Sequence, residues 1–277
     1  MNFCDLHTHS VYSDGTWTPT QLIRQAEKLG LQAIALTDHN TVAGLPEFLA
    51  AAGNSSVKAI AGVEFSTEWE GIELHILGLY LQPRHFDAVT GLMEDFLGRK
   101  ERSNRALVDA LNRAGYALDY ETIKASTPNG QVNRAHIGAA MVKRGYIESI
   151  AEAFSTLLSS KNGYYVPPQR LGAFEAIDFI KSLGATAVLA HPLLDLEEGQ
   201  LRTFLDTAAG HGLDGMEVLH PSHDAQMRQL AAAIAAEYHL KPSGGSDFHG
   251  SNKPDISLGC GRGDLAVPAD FSLCLVP

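Results

Sequence analysis

Seven short apolar runs, at residues 2–6, 33–37, 57–61, 72–80, 185–190, 215–219 and 240–244, carry or run into a histidine or a carboxylate. Bounded apolar runs alternating with helical patterns are the signature of parallel strands joined by crossover helices. His7 and His9 follow the first run, His39 the second and Glu64 the third, and His75 lies within the fourth. His191 follows the fifth, Glu217 and His220 end the sixth, and Asp247 and His249 follow the seventh. In a parallel barrel the C-terminal ends of the strands converge on one face. An α/β barrel of seven strands would gather all these groups into one site.

The helix after the first run is marked by Thr18 as N-cap, Pro19 at the first position, Gln21 completing a capping box and Gly30 beyond the end. The alternation then breaks. A long helical pattern over 83–114 and shorter ones near 133–143 and 149–158 predict a helical insertion over 83–167 that caps the site, with residues 1–82 and 168–277 forming the barrel.

Each polar group has a bland reading as well. A lone His-x-His is weak evidence, His39 could cap a strand, Glu64 could sit in a salt bridge, and His75 could be an ordinary core histidine. Their order along the chain argues otherwise. Ser13-Asp14-Gly15 is a turn able to swing the Asp14 carboxylate over the face that holds His7 and His9. Glu64 lies among apolar neighbours, where an unpaired charge is costly and a cation removes the cost. His191 precedes Pro192, which favours an extended backbone. Asp247 and His249, two apart, would point the same way.

His7, His9, Asp14, His39, Glu64, His75, His191, Asp247 and His249 offer nitrogen and oxygen donors without a thiolate. That is more than one ion needs, so two or three divalent ions are expected, Mn²⁺ first, with Fe²⁺, Zn²⁺ or Mg²⁺ compatible. Cys4, Cys260 and Cys274 lack the spacing of a disulfide framework or a zinc-thiolate site. The net charge of -11 argues against duplex DNA as partner. No apolar stretch approaches a membrane span, and the N-terminus has no leader pattern, so the expected location is cytoplasmic, with no membrane and no obligate protein partner.

The ordered motifs Asp5-Leu6-His7-Thr8-His9-Ser10, Ser13-Asp14-Gly15, Thr37-Asp38-His39-Asn40, Gly62-Val63-Glu64, His75, Ala190-His191-Pro192 and Gly245-Ser246-Asp247-Phe248-His249 resemble the PHP (polymerase and histidinol phosphatase) family. In particular they resemble its stand-alone TrpH-like branch, which includes nucleoside 3′,5′-bisphosphate phosphatases and 5′-to-3′ exoribonucleases. The resemblance implies a distorted seven-stranded β/α barrel with a trinuclear metal centre. It places one ion on His7, His9, Glu64 and Asp247, a second on Glu64, His75 and His191, and a third on Asp14, His39 and His249, with Glu64 as a bridge.

Such a centre promotes in-line attack of water on phosphorus. His191, His249 and Asp247 are expected to serve catalysis as ligands, and His220, His223 or a water to protonate the leaving alcohol. Asn133-Arg134-Ala135-His136 resembles the family's Gly-Arg-Pro-His segment, departing at Asn133 and Ala135. Arg134, Asn133, His136, Lys161, Arg170 and His223 are the expected substrate contacts, and Tyr164 or Tyr165 could stack on a base. The favoured reaction is removal of the 3′-phosphate from a nucleoside 3′,5′-bisphosphate. Exonuclease action on short RNA is the alternative, followed by histidinol phosphate hydrolysis and a non-catalytic metal-binding module. Amidohydrolase chemistry on a carbon-nitrogen bond is disfavoured, because His75 stands where those enzymes commonly carry a modified lysine.

Overall fold

The computed structural model describes residues 2–127 and 132–277. The chain divides into two compact units, one combining residues up to Gly91 with those from Leu171 onward, the other running Leu92–Arg170.

The first unit holds one sheet. Its strands are β1 (Phe3–Asp5), β2 (Ala33–Leu36), β3 (Lys58–Trp69), β4 (Ile72–Leu79), β5 (Thr186–Leu189), β6 (Gly215–Leu219), β7 (Lys241–Gly244) and β8 (Val267–Pro268), in the order β7-β6-β5-β4-β3-β2-β1-β8. The ring nearly closes between its ends. The Leu6 N–H donates to Gly244 O (3.2 Å), the Asp247 N–H to His7 O (2.8 Å) and the His9 N–H to Phe248 O (2.9 Å), so the segment after β7 pairs with the end of β1. Gly245 permits that approach, because a Cβ there would collide with the His7 backbone.

Alternate residues line the interior: Cys4 and Leu6, Ala33 and Ala35, Leu77 and Leu79, Val188 and Ala190. Helix α1 (Pro19–Leu29) has the predicted Thr18–Gln21 capping box and a left-handed Gly30 at its end. Helices α2 (Leu45–Ala52), α7 (Ala173–Ser182), α9 (Glu198–Ala208) and α10 (Ala225–Glu237) also belong to this unit.

Among the seven expected strands, the parallel pattern fails at β4. β4 runs antiparallel to both β3 and β5. Only Glu70 and Gly71 separate β3 from β4, far too few residues for a parallel crossover. Both have positive φ (50° and 82°), as a tight hairpin turn requires. His75 therefore reaches the site from the start of its strand, which the reversal brings to the C-terminal end of β3. An eighth strand, Val267–Pro268, pairs antiparallel with β1; two residues ending in proline give no periodic signal.

The second unit is helical. It contains most of α3 (Phe86–Arg113), then α4 (Tyr120–Ala125), α5 (Arg134–Lys143) and α6 (Ile150–Ser155). Leu107, Leu111, Ile123, Ile137, Met141, Leu158 and Tyr165 form its core. Asp119, Asn133 and Ser149 accept backbone N–H groups as N-caps of α4, α5 and α6.

Candidate metal centre

Glu64 is at the centre of the site. Its carboxylate is buried, with Oε2 3.1 Å from Nε2 of both His7 and His9 and 3.2 Å from Nδ1 of His39. Its other oxygen, Oε1, lies 2.7 Å from Nδ1 of His75 and 3.3 Å from Nε2 of His191. Oδ1 of Asp247 is 3.3 Å from His9 Nε2 and 3.7 Å from His7 Nε2. Beyond His9, Oδ1 of Asp14 lies 3.1 Å from His249 Nε2, and its Oδ2 lies 3.9 Å from His39 Nε2.

Two observations fit these donors to cations rather than to one another. The Nε2 atoms of His7 and His9 are 3.1 Å apart, and metal–nitrogen bonds of ~2.0–2.1 Å put neighbouring donors of one ion about 3.0–3.4 Å apart. Glu64 Oε2 and His39 Nδ1 are buried and close, yet make no hydrogen bond of acceptable geometry. Buried polar atoms left in that condition are expensive without a further partner. Among the described residues, three groups could each hold an ion: His9, Asp14, His39 and His249; His7, His9 and Glu64; His39, Glu64 and His75.

Outer partners fix which nitrogen each ring presents. A carboxylate or carbonyl only accepts, so the ring nitrogen facing it carries the proton. His7 Nδ1–H donates to Glu217 Oε1 (3.1 Å), His191 Nδ1–H to Asp195 Oδ2 (3.2 Å) and His249 Nδ1–H to the Asp247 carbonyl (2.8 Å). With Nδ1 so engaged, all three rings turn Nε2 toward the centre, the nitrogen that a cation would take in place of a proton. Two further carboxylates hold the loops. Asp38 accepts from Ser10 N–H, Ser10 Oγ–H and Ser13 Oγ–H (2.7, 2.6 and 2.7 Å), fixing the turn that carries Asp14. Asp5 accepts from Ser246 N–H and Oγ–H and from Gly259 N–H (2.8, 2.6 and 2.8 Å), fixing the approach to Asp247.

His191 corrects one expectation. Its φ of 27° and ψ of 49° are left-handed, not extended. The preference of a residue before proline is overridden here: the His191 N–H donates to Glu217 Oε2 (2.8 Å), and α8 (Pro192–Asp195) starts at once, returning Asp195 to the ring. Asp247 is also left-handed, with φ 51°. Backbone in such regions persists where its surroundings overdetermine it.

The charges settle accordingly. Burial opposes the imidazolium of His7, but the carboxylates of Glu64, Glu217 and Asp247 outweigh it and raise its pKa well above the usual histidine value. His191 is raised to about 10 despite burial, through Asp195 and Glu64. Burial would raise Glu64 and Asp247, yet the surrounding histidines hold both well below the ordinary carboxylate range. Burial lowers His39 and His223 to about 4.

The remaining predicted residues are placed as follows. His223 is buried beside His220, with ring centroids 5.5 Å apart. Arg134, Asn133, His136 and Lys161 lie in the helical unit. Asn133 Oδ1 accepts the His136 N–H and His136 Nδ1 accepts the Asn133 N–H, closing the cap of α5. Arg134 donates to Leu158 O (3.0 Å) and lies 4.3 Å over the Tyr165 ring, which belongs to that unit's core. Tyr164 packs against the same core, and Lys161 and Arg170 are exposed. Asp195 and Lys253 carry no sequence signal. Lys253 follows the Asp247-x-His249 motif, and its Nζ is 2.6 Å from Asp247 Oδ2.

The PHP domain profile matches residues 5–169. A 5′-3′ exoribonuclease from Haemophilus influenzae is 35% identical over 246 residues, covering 88% of this chain and 89% of the relative. A 3′,5′-nucleoside bisphosphate phosphatase from Chromobacterium violaceum is 33% identical over 258 residues, covering 92% and 90%. A crystal structure from Bifidobacterium adolescentis, assigned as a metal-dependent phosphoesterase, superposes with a TM-score of 0.67 at 30% identity, covering 98% of this chain and 94% of that one. The donor groups gathered around Glu64 and these likenesses agree on metal-dependent hydrolysis of phosphoric esters, and the chain belongs to the PHP domain family.

Proposed function

We propose that this protein is a 5′-to-3′ exoribonuclease acting on short RNA, within the TrpH-like branch. The observation that carries the hydrolytic reading is Glu64, whose two oxygens face separate sets of imidazoles and so suit a carboxylate bridging two ions. The choice of substrate is supported by the 35% identity to an exoribonuclease along nearly the whole chain. It replaces the 3′-phosphate removal that the sequence motifs favoured.

In this reading His7, His9, Glu64 and Asp247 hold one ion, Glu64, His75 and His191 a second, and Asp14, His39 and His249 a third, with Mn²⁺ the expected metal. Divalent ions bound there supply Lewis acidity toward phosphoryl oxygens and acidify water at neutral pH. The protein's own part is positional. Glu217 and Asp195 hold His7 and His191 in the tautomers that present Nε2, and Asp38 holds the Asp14 turn over His249. Arg134 retains guanidinium donors beyond its bond to Leu158 O, and is assigned to a substrate phosphate, with Lys161, Arg170 and His223 as further contacts.

A second reading, nucleoside 3′,5′-bisphosphate phosphatase, is favoured by the 33% identical relative. Incubation of the Mn²⁺-loaded protein with a short 5′-phosphorylated RNA and, separately, with adenosine 3′,5′-bisphosphate discriminates between them. Stepwise release of mononucleotides from the 5′ end supports the exoribonuclease. Intact RNA alongside inorganic phosphate from the bisphosphate transfers the assignment to the second reading.

A further inference from the structure

Asp247 has two distinct oxygens. Oδ1 faces His9 Nε2 at 3.3 Å and His249 Nδ1 at 3.4 Å. Oδ2 faces away from them, 2.6 Å from Lys253 Nζ and 3.4 Å from His220 Nε2. The proton on His220 can be placed, because the Ser222 N–H donates to its Nδ1 at 3.2 Å. A nitrogen that accepts carries no proton, so in the neutral ring Nε2 bears it and aims it at Oδ2. His220 is buried and cannot turn freely to solvent.

Lys253 is held from its own side. It ends a short turn, Gly250–Asn252, in which the Ser251 N–H donates to Thr16 Oγ1 (2.9 Å) and Asn252 Nδ2 donates to the Asp14 carbonyl (2.7 Å). One strap thus ties Asp14 and Asp247 together, two carboxylates 233 residues apart in the chain.

We propose that Lys253 and His220 are positioning residues that occupy the outer oxygen of Asp247 and so restrict it to binding a cation through Oδ1 alone. The inference rests on Asp247 being a metal ligand, as in the proposed function, and it assigns His220 a role other than protonating a leaving group. A carboxylate with a free second oxygen can chelate one ion with both. Two donors on Oδ2 prevent this and leave a coordination position for substrate or water.

Replacement of the bound ions by Co²⁺ makes the restriction visible, since visible absorption weakens as coordination number rises. His220→Phe and Lys253→Met are expected to lower that absorption, whereas His220→Gln and Lys253→Arg, which keep a donor, are expected to preserve the wild-type spectrum. By calorimetry on the full chain, His220→Phe should weaken Mn²⁺ binding about 10–100-fold, the range typical for loss of an outer-shell partner. Lys253→Met should change affinity less, because it also removes a positive charge near the ion.

Lys253 is 42% exposed, so its variant remains informative if His220→Phe does not fold. An unchanged spectrum in Lys253→Met, and in His220→Phe where it folds, with wild-type protein binding ions normally, overturns the inference and leaves the proposed function standing. Failure of wild-type protein to bind divalent ions overturns both.

Discussion

Nδ1 of His75 stands 2.7 Å from Oε1 of Glu64, across two strands that run in opposite directions. The pair joins residues from one hairpin, and the same Glu64 reaches His7 and His9 with its other oxygen. Glu64→Gln keeps the shape and removes the charge both sets of imidazoles face. Phosphoester hydrolysis should fall by more than about 100-fold, beyond the range for outer-shell partners, with a matching loss of bound metal by elemental analysis. Activity within about tenfold of wild type would remove Glu64 from the centre.

Glu217 tests the tautomer argument. In Glu217→Gln an amide N–H can face His7 Nδ1, turning that nitrogen into an acceptor and moving the ring proton to Nε2, where it points at the cation position. Metal affinity should drop about 10–100-fold in calorimetry although no ligand has been altered. Asp195→Asn should act in the same direction on His191.

Cations and protons compete for the same rings. His191 has a pKa raised to about 10 and His7 is raised as well, so at neutral pH both hold protons that a cation must displace. Apparent Mn²⁺ affinity should therefore rise with pH between 6 and 8, with proton release detected by calorimetry in buffers of different ionisation enthalpy. A flat profile without proton release would contradict the charge assignment.

His223 is shifted the other way. Its pKa is lowered to about 4 by burial, against ~6.5 in an unfolded chain. Between these values the unfolded state binds a proton that the fold does not, so the contribution is complete above about 6.5 and is lost as pH falls toward 4. Denaturant titrations should show His223→Gln losing less stability across that window than wild type does.

Leu111 tests the helical unit by itself. It is fully buried in the helical core, which contains none of the metal-facing residues. Leu111→Ala should cost about 2–5 kcal/mol by denaturant unfolding while leaving the metal content per folded chain unchanged.

Much of the site was legible because a strand that ends in a histidine or carboxylate announces itself in one dimension. His7, His9, His191, Asp247 and His249 stand just past such runs, and the cap of α1 is equally local; Glu64 follows its apolar run too, but β3 continues beyond it to Trp69, so it faces the centre from within a strand. Contacts made across the fold were not legible. Asp195 and Lys253 look like ordinary surface charges until the left-handed backbone at His191 and the Gly250–Asn252 turn bring them inward. The direction of β4 is not legible from its apolar content, which resembles that of the strands that do run parallel. The decisive signal was the two-residue gap at Glu70-Gly71.

That gap also sets a dimension. In the hairpin Ser66 pairs with His75 and Glu64 with Leu77, so Glu64 and His75 share the face that continues inward to Leu79. A one-residue slip in pairing sends every side chain of a strand to the other face. Lengthening the turn by a single residue, with every donor still encoded, would leave Glu64 looking at the wrong side of its partner strand. The reach between the two imidazole sets is thus gauged by backbone pairing, and the chain can lose its chemistry through arithmetic at a loop that bears no chemical group of its own.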